Sequence, residues 1–96
     1  MACSVQTKDR TEYVQNLVLN FFQEMEGDNV RITLDTSLGP SGLGHSMVKR
    51  KTYQGGISSK LSVKGCSMKT LRPNDFTDNK LRSIGDVAAL VGKDLV

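Results

Sequence analysis

Apolar positions in the first quarter of the chain recur with helical spacing. Val14, Leu17, Val18, Phe21, Phe22 and Met25 follow i, i+3, i+4, i+7, i+8, i+11, which places six large side chains on one stripe and predicts an amphipathic helix over residues 11–25. Burying each such side chain contributes roughly 1.5 to 3 kcal/mol, so this face is expected to carry much of the core. Asp9 followed three residues later by Glu12 reads as a capping-box start, and Gly27 as a left-handed stop. A second helix is predicted over residues 83–91, where Ile84, Val87, Ala88 and Val91 share a face, Ser83 and Asp86 repeat the capping spacing and Gly92 can terminate. Ahead of it, Pro73-Asn74-Asp75-Phe76 reads as a short helical turn entered through proline, with Phe76 and Leu81 as plugs.

The middle of the chain has a different texture. Over residues 47–68, Gly55-Gly56 costs about 2 kcal/mol relative to two alanines in a helix interior. Val48, Arg50 and Thr52 alternate with Lys49, Lys51 and Tyr53, and Ile57, Ser59, Leu61 and Val63 fall on one side of a second extended run beyond Gln54-Gly55-Gly56. This segment is expected to be irregular or a β-hairpin.

Ninety-six residues allow one small domain, 1–96, with residues 1–8 frayed. No apolar run approaches the ~18 to 20 residues that span a bilayer, and Met1-Ala2-Cys3-Ser4 lacks a basic segment followed by an apolar one, so no membrane partner and a cytoplasmic, monomeric protein are expected. Cys3 and Cys66 offer neither a metal-ligand spacing nor a disulfide framework and read as two free thiols.

The candidate chemistry lies in Gly42-Leu43-Gly44-His45-Ser46-Met47, between the first helix and the run Leu81-Arg82-Ser83-Ile84-Gly85-Asp86-Val87-Ala88-Ala89-Leu90-Val91. On these residues, on Ile32-Thr33-Leu34-Asp35-Thr36-Ser37-Leu38 and on the stretch beginning Leu71-Arg72-Pro73, the chain resembles the acyl carrier proteins over residues 13–47 and 71–91. The resemblance implies a mainly α fold, a small helical bundle, into which Leu34 and Leu38 tuck. It implies that Ser46 is the attachment point of a 4′-phosphopantetheine cofactor, flanked by His45 and Met47, whose terminal thiol carries acyl or aminoacyl groups as thioesters in fatty acid, polyketide or related biosynthesis. Such a phosphoprotein is not an enzyme. Its partners are a phosphopantetheinyl transferase and the acyl-transfer or synthase enzymes. The chain departs from the family pattern twice: His45 stands where the family has aspartate before the serine, and no acidic helix follows it. Without the resemblance, Ser46 reads as a helix N-cap and His45 as a solvent-facing loop residue. Gly39 to Gly44 could cradle a phosphate but lacks the Lys-Ser/Thr ending of a P-loop.

Charge supplies the alternative. The net charge is +3, yet residues 36–74 hold seven basic groups, Lys49, Arg50, Lys51, Lys60, Lys64, Lys69 and Arg72, and no Asp or Glu. A basic island of this kind draws an anionic partner or is ordinary solvated surface. The competing function is a small nucleic-acid-binding module that uses the 47–64 segment as a phosphate-contacting hairpin, with Tyr53 available to stack.

Overall fold

The computed structural model describes residues 3–96, in which three α-helices pack around one core: α1 (Arg10–Glu26), α2 (Met47–Ser62) and α3 (Ile84–Lys93). The mainly α bundle expected from the sequence is the architecture observed. Helix α1 lies at its centre and packs against both α2 and α3, while a 3-10 turn, Pro73–Thr77, covers another side of α2. Val14, Leu17, Val18 and Phe22 of α1 are buried as the apolar stripe requires, with Phe21 and Met25 half-buried at its edge. Leu38, Phe76, Leu81, Ile84, Val87 and Val91 complete the core, and Leu34 packs on its margin. Among the described residues no helix is long and apolar enough to cross a membrane.

Residues 47–68 are not a hairpin. They begin with the sixteen-residue helix α2, whose inward side is formed by Arg50, Tyr53, Ile57 and Leu61, all buried. Tyr53, Ile57 and Leu61 recur every four residues, so the true period is helical; Val63, assigned to the same strand face as Leu61, is 81% exposed. The glycine pair that argues against a helix divides into two roles. A Cβ on Gly56 would collide with the ring of Phe21, so the glycine lets α1 and α2 approach closely, whereas a Cβ on Gly55 would meet open space. The local propensity cost at Gly56 is thus offset by interhelical packing.

Both helix termini and chain ends refine the sequence reading. Gly27, with φ +88°, ends α1, and its N–H donates to the Gln23 carbonyl. Asp9 does not cap α1, because a 3-10 turn, Thr7–Asp9, runs directly into the helix and leaves Asp9 with helical backbone angles. At α3 the reciprocal cap forms: Ser83 Oγ accepts from the Asp86 N–H at 3.3 Å, and Asp86 Oδ2 accepts from the N–H groups of Ser83 and Arg82 at 3.0 and 2.9 Å. These backbone donors, Arg82 first, hold the Asp86 carboxyl below its usual range against the opposing effect of burial. Gly92 lies inside α3, which ends a residue later at Lys93.

Cys3 and Cys66 are joined by a disulfide, so the reading as two free thiols is incorrect. Sixty-three residues apart in sequence, they are brought together where the N-terminal segment crosses the end of α2, and Ser4 N–H donates to the Lys64 carbonyl there. Cys3 and Ser4 are thereby fastened to the end of α2; the expectation for residues 1 and 2 lies outside the described residues.

Gly55→Ala is expected to raise stability by about 0.5 to 1 kcal/mol, whereas Gly56→Ala should lower it by about 1 to 3 kcal/mol. Chemical denaturation of the two variants checks this, and stabilisation by both would contradict the observed packing of Phe21.

Candidate functional site

The segment leading into α2 is knit by its own backbone. Leu43 N–H donates to the Ser37 carbonyl at 2.8 Å, Gly44 N–H to the Gly39 carbonyl at 2.8 Å and His45 N–H to the Leu38 carbonyl at 2.8 Å. This tight turn explains the two glycines of the motif. A Cβ on Gly42 would collide with the Ser37 carbonyl, and Gly44 has φ +65°, where a side chain is strained. The turn is fastened to the start of α3, because Leu38 N–H donates to the Arg82 carbonyl at 2.9 Å and Ser37 and Ser83 form an isolated antiparallel bridge.

Ser46 emerges from this turn as the N-cap of α2. Its backbone is extended, its Oγ accepts from the Lys49 N–H at 3.1 Å, and the residue is exposed. Met47, the first residue of the helix, is 47% exposed.

His45 points the other way, which corrects the reading of a solvent-facing residue. It is 7% exposed. Its ring stacks on Phe22 with 10° between the planes and 5.9 Å between centroids, and meets Tyr53 edge-on at 5.5 Å. Nδ1 is hydrogen-bonded to the Tyr53 hydroxyl, and Nε2 lies 3.3 Å from Glu26 Oε2. Nε2 is off the line of a good hydrogen bond, so its interaction with Glu26 is mainly electrostatic. Burial pushes the His45 pKa below its ordinary value, against the opposing pull of Glu26. With a neutral ring, the consistent assignment has Nε2–H facing the carboxylate and Nδ1 accepting from the tyrosine. Burial alone would raise the Glu26 carboxyl; the Lys49 hydrogen bond at 3.2 Å and the nearby imidazole outweigh it and hold the group below its usual range. Glu26 is the last residue of α1, so the end of one helix is bound to the start of the next directly beneath Ser46.

The basic island is dispersed by the fold. Lys49 and Lys60 face α1, where they pair with Glu26 at 3.2 Å and Glu24 at 2.7 Å. Arg50 turns inward, 6% exposed, and its Nη1 donates to the Leu81 carbonyl at 3.1 Å. Lys51, Lys64, Lys69 and Arg72 remain exposed, but the hairpin over residues 47–64 that was to present Lys49, Arg50, Lys51, Lys60 and Lys64 together is absent.

Sequence reasoning missed a cavity of about 280 Å³ beside Met47, lined by Ser37, Gly39, Arg50, Asn79, Leu81 and Arg82 as well. Its one available signal was that Arg50 occupies the inward stripe with Tyr53, Ile57 and Leu61. A larger groove of about 460 Å³ runs between α1 and the far end of α2, with Tyr13, Leu17, Lys60 and Val63 among its walls. Lys60 is fourteen positions beyond Ser46, about 21 Å along the helix, so that groove is not part of this site. Among the described residues no cluster of His, Cys, Asp or Glu has the arrangement of a metal site. No family, curated protein or solved structure matches the chain.

His45 is the sole histidine, which makes the site's pH dependence legible. Because its folded pKa is lowered, the unfolded chain binds its proton first, and stability falls as pH drops through the ordinary histidine value. The denaturation midpoint should therefore decrease from about pH 7 to about pH 5, and His45→Gln, though less stable, should lack that slope. A midpoint that rises over this interval would contradict the buried, neutral imidazole.

Proposed function

We propose that this protein is an acyl carrier whose 4′-phosphopantetheine arm is attached through a phosphodiester at Ser46 Oγ. The observation that carries the reading is the exposed Ser46 hydroxyl at the N-cap of α2, directly after Gly42-Leu43-Gly44-His45, in a three-helix bundle that turns every large apolar stripe inward. When bound, the arm supplies a terminal thiol that holds acyl or aminoacyl groups as thioesters.

The residues present fit such a group. In the cap, Ser46 Oγ acts as an acceptor from Lys49 N–H. Esterification uses the hydroxyl proton, which this bond does not need, and leaves a lone pair on the oxygen, so modification and helix capping are compatible. The first-turn N–H groups of α2 and the positive end of its dipole favour the phosphodiester's negative charge. His45 works by fixing the helix start from below, since its ring is buried against Phe22 and Tyr53. Aspartate at this position would set a second carboxylate in a buried place beside Glu26, which accounts for the departure from the family pattern.

Partner recognition follows a different charge logic from the family's acidic face. Helix α2 has no Asp or Glu, and the exposed residues that follow Ser46 are Met47, Val48 at 76%, Lys49, paired with Glu26, and Lys51. A transferase or acyl-transfer enzyme would meet an apolar edge bordered by positive charge, and would need a neutral or acidic surface to dock.

Incubation with coenzyme A and a broad-specificity phosphopantetheinyl transferase should add one arm per chain, read by intact mass. Ser46→Ala should abolish the gain while keeping the helical circular dichroism, at a cost of about 1 kcal/mol for the lost cap. Absence of any mass gain with several transferases would refute the proposal.

A further inference from the structure

The cavity beside Met47 contains an imbalance of charge. Arg50 is almost wholly buried, yet of its guanidinium nitrogens only Nη1 has an acceptor, the Leu81 carbonyl at 3.1 Å, and Nε has none. Among the described residues no carboxylate lies within ion-pairing distance of Arg50 or Arg82. The carboxylates nearest in sequence to the rim are both held by backbone: Asp78, beside Asn79, accepts from the Lys80 N–H, and Asp86 accepts from the N–H groups of Arg82 and Ser83. A buried cation without an anion is costly, and its planar fork of N–H donors is the geometry that matches phosphate or carboxylate.

The other walls add donors rather than acceptors with negative charge. Ser37 Oγ already accepts from Gly39 N–H and Ser41 Oγ–H, both at 3.2 Å, which leaves its own proton free to donate. Asn79 and the exposed Arg82 stand at the same cavity. Arg50 is one turn along α2 from Ser46, its N–H donating to the Ser46 carbonyl at 2.9 Å, and Met47 lines the cavity directly after Ser46. Arg50 thus stands about 6 Å along the helix axis from the serine proposed for modification.

We propose that this cavity is a phosphate-binding site built from Arg50, Arg82, Ser37 and Asn79, and that the phosphate it takes is the diester on Ser46. The assignment to the diester rests on the carrier reading; the phosphate site itself stands on the cavity. The arm's anionic root is then held against the protein, which orients the arm along the 79–82 side of α2.

Two titrations test it. Inorganic phosphate is added at low salt to the unmodified protein, and the Arg50 Nε–H resonance and the amides of Met47, Asn79 and Arg82 are followed by NMR. A saturable shift at Arg50 Nε–H is expected. Arg82→Gln, at an exposed position where folding is retained, should weaken binding roughly tenfold, and Lys51→Gln on the outer side of α2 should leave it unchanged. No saturable shift, or equal weakening by both substitutions, overturns the phosphate site. The same titration on protein modified at Ser46 should show the cavity closed to added phosphate, with the phosphorus resonance of the arm moved by Arg82→Gln. Undiminished phosphate binding by the modified protein overturns the assignment to the diester. If Ser46 accepts no arm, the carrier reading fails by itself, and the first titration still decides the cavity.

Discussion

The His45 imidazole stacks on Phe22 near the end of α1 and is hydrogen-bonded to Tyr53 on the inward side of α2, so one ring joins the two helices at the level of Ser46. Glu26 closes the junction from below by drawing in both His45 and Lys49. The exposed residue next in sequence has no freedom to turn inward, because its neighbour is consumed by the core and its own Oγ is committed to the first turn of α2. Tyr53 extends the cluster to Phe22 at 4.8 Å and to Phe76 at 6.3 Å, which ties the 3-10 turn to the same centre. Edge-to-face contacts of this kind add to the area they bury and fix orientation.

Such an arrangement makes the start of α2 stiff at the serine proposed for modification. The turn over residues 37–45 adds four backbone hydrogen bonds, and the antiparallel bridge from Ser37 to Ser83 anchors it to α3. At the opposite end of the molecule, the Cys3–Cys66 disulfide holds the N-terminal segment to the end of α2. Asp94 accepts from the N–H groups of Thr70 and Leu71 and from the Thr70 hydroxyl, which secures the connection that follows. Mobility is thereby expected in the exposed side chains of Met47 and Val48 more than in the backbone that carries them.

The first and last helices were legible in the sequence because each keeps a clean apolar stripe, and α3 also displays its reciprocal cap. The helix over Met47–Ser62 was not, for two physical reasons. Arg50 replaces an apolar residue on the inward stripe, and the Gly55-Gly56 pair carries a propensity penalty that only the approach of Phe21 explains. Tyr53, Ile57 and Leu61, four apart, were the surviving signal. His45 was misread because a polar residue in a glycine-rich loop ordinarily faces water; its partners Phe22, Glu26 and Tyr53 are distant enough in sequence that only the fold assembles them. Pairing of Cys3 with Cys66 was hidden in the same way, by a separation of 63 residues. The local motif around Ser46 could be read directly, whereas the cavity of Arg50 and Arg82 required tertiary structure.

Under the proposed function, this bundle serves to present one serine. The most direct test is the intact mass of the protein purified from the cells that make it, with fragmentation to locate any added group. The account predicts a population carrying one phosphopantetheine, free or acylated, on the peptide that contains Ser46. A homogeneous unmodified chain, or an arm on any other residue, would contradict it.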